Sequence, residues 1–335
     1  MTPLPVQVER STRASRISAV VFGVVLVALA TLPFWGGPGD MRLVAEMSYF
    51  LALAQLWNLL AGYAGLVSVG QQAFVGLGAY TFFYLTGSWD MHPYWALAIA
   101  GPAVALISVP VALVVFRLRG AYFAVGTWVV SEAIMLGVTQ VKALGAGSGM
   151  SLTPAIVRQI APDRATREMI IYWITLALVV LVFVGVYALL RSRHGLALTA
   201  IRDSEPASAS LGVDTFRTKL VTYVVAALFT GFVGAVIFLS KIRLSPEAGF
   251  SINDWTVVVI FMVVIGGIGT LEGPIIGMLV YFALRELLYQ WGTWYLILLG
   301  LVAVIVMLRF QDGIWGGIAK RFDLHLFSVR RHLMR

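Results

Sequence analysis

Ser48, Gln55, Asn58 and Gly62 stand seven, three and four residues apart, which puts them on one face of a helix. Side-chain amides in such a row can bridge to a neighbouring helix or contact a passing polar solute. An amide in lipid needs a partner, so this face is expected to point toward protein or water. Ser68, Gln71 and Gln72 continue the polar line, followed by Gly76 and Gly78. Two readings fit the pattern. Small residues and amides pack helices together, and they also line solute paths.

Glu132 lies mid-way along an apolar run, with Trp128 and Thr139 on its helical face. A carboxylate at the centre of a bilayer costs about 2.5–3.5 kcal/mol, so it is expected to face the bundle interior or to be neutral. It suits a proton relay, a polar contact on a path, or a hydrogen-bonded acid holding two helices in register. Arg285 and Glu286 are adjacent and therefore point about 100° apart. Each is expected to reach another helix or to snorkel toward an interface.

Hydrolytic and redox chemistry find no matching constellation. The sequence has no G-x-x-x-x-G-K-[ST] phosphate loop and no G-x-S-x-G elbow. His92, His194, His325 and His332 lack zinc-site spacing, and cysteine is absent. The chain is read as a non-enzyme that binds no metal and no cofactor of its own.

The elements that must carry these residues are membrane helices. The chain is 60% hydrophobic and 12% charged, against roughly 25% charged for a soluble domain. Ten apolar runs are candidates to cross the bilayer: 17–35, 43–61, 71–85, 94–116, 120–141, 169–190, 220–239, 255–268, 274–290 and 291–308. The eighth is short for a crossing, so the stretch after it is expected to lie within the membrane. The first run follows a basic leader but is long for a signal core, and Ala28-Leu29-Ala30 sits inside it. It is read as a retained anchor. With the amino terminus inside, sixteen Lys and Arg fall on the cytoplasmic side and seven on the other. Arg10, Arg330, Arg331 and Arg335 are among the sixteen. Both termini are therefore expected in the cytoplasm. The net charge of +8 is scattered among short loops, so it signals orientation and not nucleic-acid binding.

Two glycine-rich stretches interrupt the apolar runs, Gly62–Gly70 and Gly266–Pro274. Gly62, Gly65, Gly70, Gly266, Gly267, Gly269 and Gly273 mark them. Broken backbone at membrane depth survives only against protein or a water-filled cavity. A matched pair of breaks points to a translocation path. Their separation of about 200 residues invites an inverted duplication of five spans each. Against this, one break follows the second run and the other the eighth, which are not equivalent places.

The chain divides into a tail 1–16, a membrane domain 17–308 containing a cytoplasmic loop 191–219, and a tail 309–335. Within the loop, Ser204 can cap a short helix, Pro206 suits its first turn and Gly212 a left-handed end. Asp214 or Thr215 can cap the next span. The stretch reads as a plain connector or as a docking surface for a soluble partner.

Four blocks occurring in order resemble the permease subunits of branched-chain amino acid ABC importers: Leu56–Phe74, Leu118–Ala124, Ala200–Gly212 and Gly266–Pro274. The resemblance covers most of the chain from about 45 to 290. It implies an all-α polytopic bundle of about ten helices in a bacterial inner membrane. It also implies a second, similar permease, two cytoplasmic ATP-binding subunits that hydrolyse ATP, and an extracytoplasmic substrate-binding protein. Under it, Arg202, Asp203, Glu205, Ala207 and Gly212 belong to the loop that couples ATP hydrolysis to transport by alternating access. Gln55, Asn58, Ser68, Gln71, Gln72 and Glu132 then join the glycines along the path. Branched-chain or related amino acids are the implied substrates, with urea and short amides as the alternative. A proton-coupled transporter, a membrane enzyme and a channel are competing classes.

Overall fold

In the computed structural model the chain is all-α apart from two minimal ribbons. Residues 7–9, 13–288, 294–309, 312–322, 326–327 and 332–334 are described. Arg10, His325, Arg330, Arg331, Arg335 and the expected span ends at 289–293 lie outside the described residues.

The order begins with α1 (Arg13–Trp35) and α2 (Pro38–Asn58), which a π turn over Leu59–Tyr63 prolongs. Next come α3 (Gln71–Ser88), α4 (Pro93–Val115), α5 (Ala121–Gln140), α6 (Pro154–Ile160) and α7 (Arg164–Arg191). The loop helices are α8 (Arg193–Asp203) and α9 (Glu205–Ser210), followed by α10 (Thr215–Lys241). α11 (Pro246–Gly249), a π segment (Ile252–Val257) and α12 (Val258–Gly266) form one helical path. The chain then runs through α13 (Gly273–Leu288), α14 (Trp294–Arg309) and α15 (Gly313–Phe322).

Among the described residues, six helical stretches are long and apolar enough to cross a membrane: Pro38–Tyr63, Pro93–Val115, Ala121–Gln140, Arg164–Arg191, Thr215–Lys241 and Pro246–Gly266. They run from 20 to 28 residues, and about 20 suffice for a hydrocarbon core of about 30 Å. The other four expected runs are helical as well: α1, whose apolar part includes Val20–Trp35, α3, which is less apolar, and α13 and α14, of 16 residues each. α3 is less apolar for a physical reason. Its side chains are nearly all buried against protein, where Gln and Thr find partners.

The eighth run needs correction. It does not start at 255 but at Pro246, giving a stretch of 21 residues. Ser245, Ser251 and Asp254 look like loop residues in sequence. Here Ser245 and Ser251 accept hydrogen bonds from the main-chain N–H groups of Ala248 and Asp254 and so cap successive turns. The caps expected around the 191–219 loop also form: Ser204 accepts from Ala207 N, and Asp214 from Arg217 N at 2.9 Å.

α10 lies at the centre, packed on α3 and α4, while α2 packs on α7. Close crossing of α3 and α10 depends on small residues. A Cβ on Gly78 would collide with the main chain of Gly231, and one on Gly234 with the carbonyl of Val75. Phe74, Tyr223 and Phe116 stack edge to face beside this crossing.

The bundle has two distinct ends. At one, strands Met150–Ser151 and Arg243–Leu244 pair antiparallel, and Arg42 of α2 reaches Glu168 of α7 at 2.7 Å. We call this the ribbon end. The break end gathers the α8–α9 loop and both glycine breaks, with Glu205 paired to Lys219 at 2.7 Å.

Replacing Gly234 by leucine should destabilise the protein by about 1–3 kcal/mol through overpacking. Thermal denaturation in detergent will show it. Replacing Gly185, whose surroundings leave a Cβ free, should leave the midpoint unchanged.

Candidate functional site

The site is built on the second half of α2. Its polar face meets the second glycine break. Gln55 Nε2 donates to the carbonyl of Leu271 at 2.7 Å, and Asn58 Nδ2 to that of Thr270 at 2.7 Å. Asn58 Oδ1 in turn accepts from Gly269 N at 2.8 Å. Residues 269, 270 and 271 thus climb α2 beside 62, 58 and 55. Both amides are fully buried. Gly62 and Gly269 touch main chain to main chain, and a Cβ on Gly62 would strike Gly269 and the Asn58 amide. Two breaks about 200 residues apart are therefore one structure.

The first break folds back along a neighbouring face of the same helix. After the π turn, Leu66 N bonds the carbonyl of Leu60, and Gly65 takes φ +70. Trp57 Nε1 donates to the carbonyl of Ser68 at 2.7 Å, and Gln71 Nε2 to that of Leu53 at 3.0 Å. Ser68 Oγ accepts from Gly70 N, and Thr127 of α5 accepts from Val69 N at 2.9 Å. Gly70 abuts the Thr127 carbonyl. Gln72 is tied to Thr256 in the π segment, its main-chain N donating to the hydroxyl and its Oε1 accepting from it.

The second break is closed by its own turn. Thr270 Oγ1 donates to the carbonyl of Gly267 at 2.8 Å and accepts from Gly273 N at 3.0 Å. Gly266 packs on Gly273, and Gly267 meets Asp312 just before α15. In an apolar bundle an unmet backbone group costs about 1–3 kcal/mol. These partners explain how non-helical chain persists here.

Three amide atoms stay unsatisfied among the described residues: Gln55 Oε1, Gln71 Oε1 and Gln72 Nε2. A partly satisfied buried network is less stable than an apolar one of the same shape.

The loop reaches the breaks through one residue. Arg202, near the end of α8, donates from Nη1 to the carbonyl of Gly62 at 2.9 Å, and the same nitrogen lies beside Gly269. Its remaining nitrogens hold Asp203 at 3.0 Å, and Gly65 packs on the Arg202 main chain. Glu205 bonds Lys219 of α10, and this partner holds the Glu205 carboxyl below its ordinary value. Ala207 is exposed, and Gly212 ends the loop helix at φ +84. Beside them Leu211 is 83% exposed, a large apolar side chain at the loop tip.

Glu132 falls elsewhere. Expected to face inward, it is partly exposed on the outer side of α5 and accepts from Trp128 Nε1 at 3.1 Å. Arg285 does find another helix, binding both oxygens of Glu46 at 2.7 and 2.9 Å. Glu286 is exposed.

Sequence reasoning passed over Trp57, Thr127, Thr256, Thr270 and Leu211. Trp57 and Thr270 adjoin residues that were picked out, so their donors and acceptors were available as a signal. Thr127 and Thr256 sit in apolar helices and carry no local cue.

Three comparisons bear on the chain. The model of the family described as "Branched-chain amino acid transport system / permease component" matches residues 41–308. The chain is 28% identical over 323 residues to the high-affinity branched-chain amino acid transport system permease protein LivM of Escherichia coli (strain K12). That alignment covers 90% of this chain and 76% of the relative. The Salmonella typhimurium protein of the same description is 27% identical over the same shares. A probable branched-chain amino acid transport permease protein LivM of Methanocaldococcus jannaschii is 27% identical over 51% of this chain and 49% of its own. No solved structure matches.

Asn58→Leu should strand Gly269 N and the Thr270 carbonyl together. A loss of about 2–5 kcal/mol is expected from two unmet groups, read as a fall in thermal midpoint. Asn58→Asp, which as the neutral acid keeps both an acceptor for Gly269 and a donor for Thr270, should lose less.

Because the Glu205 carboxyl is depressed, its tie to Lys219 contributes above the unfolded value, about 4.3. The contribution is lost as pH falls through the folded value. Hydrogen exchange across 204–212 should therefore stay slow at pH 5, and Glu205→Gln should speed it there.

Proposed function

The chain belongs to the family of branched-chain amino acid transport system permease components, and on that footing we propose that it is the membrane subunit of an ATP-driven importer. It forms a polytopic bundle of about ten spans in a bacterial inner membrane, surrounded by lipid, with the break end and both termini in the cytoplasm. The domain is 17–308, with tails 1–16 and 309–335. The helices and turns of the break end carry Arg117, Arg119, Arg191, Arg193, Arg202 and Arg217, which supports that orientation.

Its partners are a second, homologous permease, two cytoplasmic ATP-binding subunits and an extracytoplasmic substrate-binding protein. ATP is hydrolysed by those subunits, and this chain carries no cofactor or metal. Branched-chain amino acids are the substrates, as the description of the LivM relatives suggests. Urea or a short amide is the alternative cargo.

The observation that carries the reading is the Arg202 link. Loop 191–219 is the coupling element, and its exposed tip at Ala207 and Leu211 offers small apolar surface to an ATP-binding subunit. Motion of α8 and α9 acts through Arg202 on the carbonyl of Gly62 and, through the Gly62–Gly269 contact, on both re-entrant breaks. Gln55, Asn58, Gln71 and Gln72 hold those breaks on α2 and on the π segment before α12 at membrane depth. The unsatisfied atoms of this network suit a second arrangement in which they find partners, as alternating access requires.

Arg202→Gln should leave the ATP-binding subunits bound and hydrolysis within about twofold, while uptake of radiolabelled leucine into proteoliposomes falls by about tenfold or more, the size of a lost charged hydrogen bond. Leu211→Asp should instead remove the ATP-binding subunits from the purified complex. Normal uptake by the Arg202 variant would refute the coupling role.

A further inference from the structure

At the ribbon end, a cavity of about 620 Å³ opens between α2, α7 and α10. Its volume is that of a small-molecule site. The charged residues of the wall are Arg42, Glu46, Arg164, Arg167, Glu168 and Lys241. The two carboxylates are already engaged. Glu168 holds Arg42 at 2.7 Å and Arg164 at 2.9 Å. Glu46 is gripped by both terminal nitrogens of Arg285 from α13.

Two cations remain. Among the described residues, the side chains of Arg167 and Lys241 make no hydrogen bond and no ion pair, the carboxylates of Asp254 and Glu46 acting on Lys241 only from a distance. A guanidinium carries five donors and an ammonium three. Lys241 is held over two rings, with Nζ 4.9 Å from the centroid of Trp255 and 5.2 Å from that of Phe238. Cation–π contact positions the charge without supplying a hydrogen-bond acceptor. The hydroxyls of Thr175 and Ser240 are spent on carbonyls of their own helices. The wall therefore offers donors in excess, and what is missing is an oxygen acceptor with negative charge.

We infer that this cavity is an oxyanion-binding site in which Arg167 and Lys241 together hold a carboxylate or phosphate group, from a free amino acid or from the headgroup of an anionic phospholipid. A planar fork and a point charge from two helices grip such a group from two directions. The site stands whether or not the chain transports amino acids, because it needs only the unspent cations and the space between them. It is distinct from the glycine breaks, which lie at the opposite end.

The test uses the full chain reconstituted in nanodiscs. Binding of radiolabelled L-leucine is measured in dioleoylphosphatidylcholine discs. Retention of dioleoylphosphatidylglycerol is measured by native mass spectrometry from discs mixed with the choline lipid. Capture of leucine assigns a solute carboxylate, and retention of phosphatidylglycerol over phosphatidylcholine assigns a lipid phosphate. In either case Arg167→Gln and Lys241→Gln should each weaken capture by about tenfold, the scale of a lost charged hydrogen bond. Lys241→Arg, which keeps the cation, should stay within about threefold of the parent. A thermal scan separates binding loss from misfolding, and if Lys241→Gln unfolds the chain, Arg167→Gln supplies the same reading. Capture of neither probe, or capture unaltered in the folded glutamine variants, overturns the site.

Discussion

Main-chain hydrogen bonding inside an apolar bundle is the constraint on which the rest of the molecule turns. A helix satisfies its own amides, but the stretches 65–70 and 267–272 leave the helical path and cannot. Their partners come from α2. Gln55 and Asn58 serve one stretch, Trp57 serves the other, and the Leu53 carbonyl anchors the start of α3 through Gln71. Remove these side chains and, among the described residues, the breaks keep only Thr127, Arg202 and their own Ser68 and Thr270 hydroxyls for side-chain support.

The surrounding helices are arranged to allow that contact. Glycine at 62 and 269 lets two main chains touch, glycine at 78 and 234 lets α3 cross α10 without a gap, and glycine at 231 makes room for Val104 of α4. α3 is consequently enclosed, which explains why a helix in the middle of a membrane bundle begins with two glutamines. The loop helices join the same cluster through Arg202, so loop, first-break and second-break geometry are mechanically one unit.

Much of this was legible in the residues. Apolar runs located the helices, and side-chain caps at Ser204 and Asp214 were correctly placed because capping depends only on neighbours in sequence. The spacing of Gln55, Asn58 and Gly62 did mark a shared face. What stayed hidden was what that face meets, since no local rule connects residue 58 to residue 270. The start of the eighth helix was misjudged for a different reason. Ser245, Pro246 and the Ser251–Asp254 stretch have loop composition, yet they are capping groups spent inside a bent helical path. Glu132 was expected to turn inward or to be neutral because charge avoids lipid; within one chain it is partly exposed and accepts a hydrogen bond from its neighbour Trp128.

The grip on both breaks is aimed at amide and carbonyl groups that every amino acid carries. Thr270, Leu271 and Ser68 are held by their carbonyls, and Gly62 offers Arg202 nothing but its own. Evolution is thereby left unequal freedom across the two sides of each bond. Leu271, gripped only by its main chain, can drift within limits of bulk, whereas Ser68 and Thr270 also spend their hydroxyls on the breaks. The gripping residues, with their indole, carboxamide and guanidinium groups, have far less room to change.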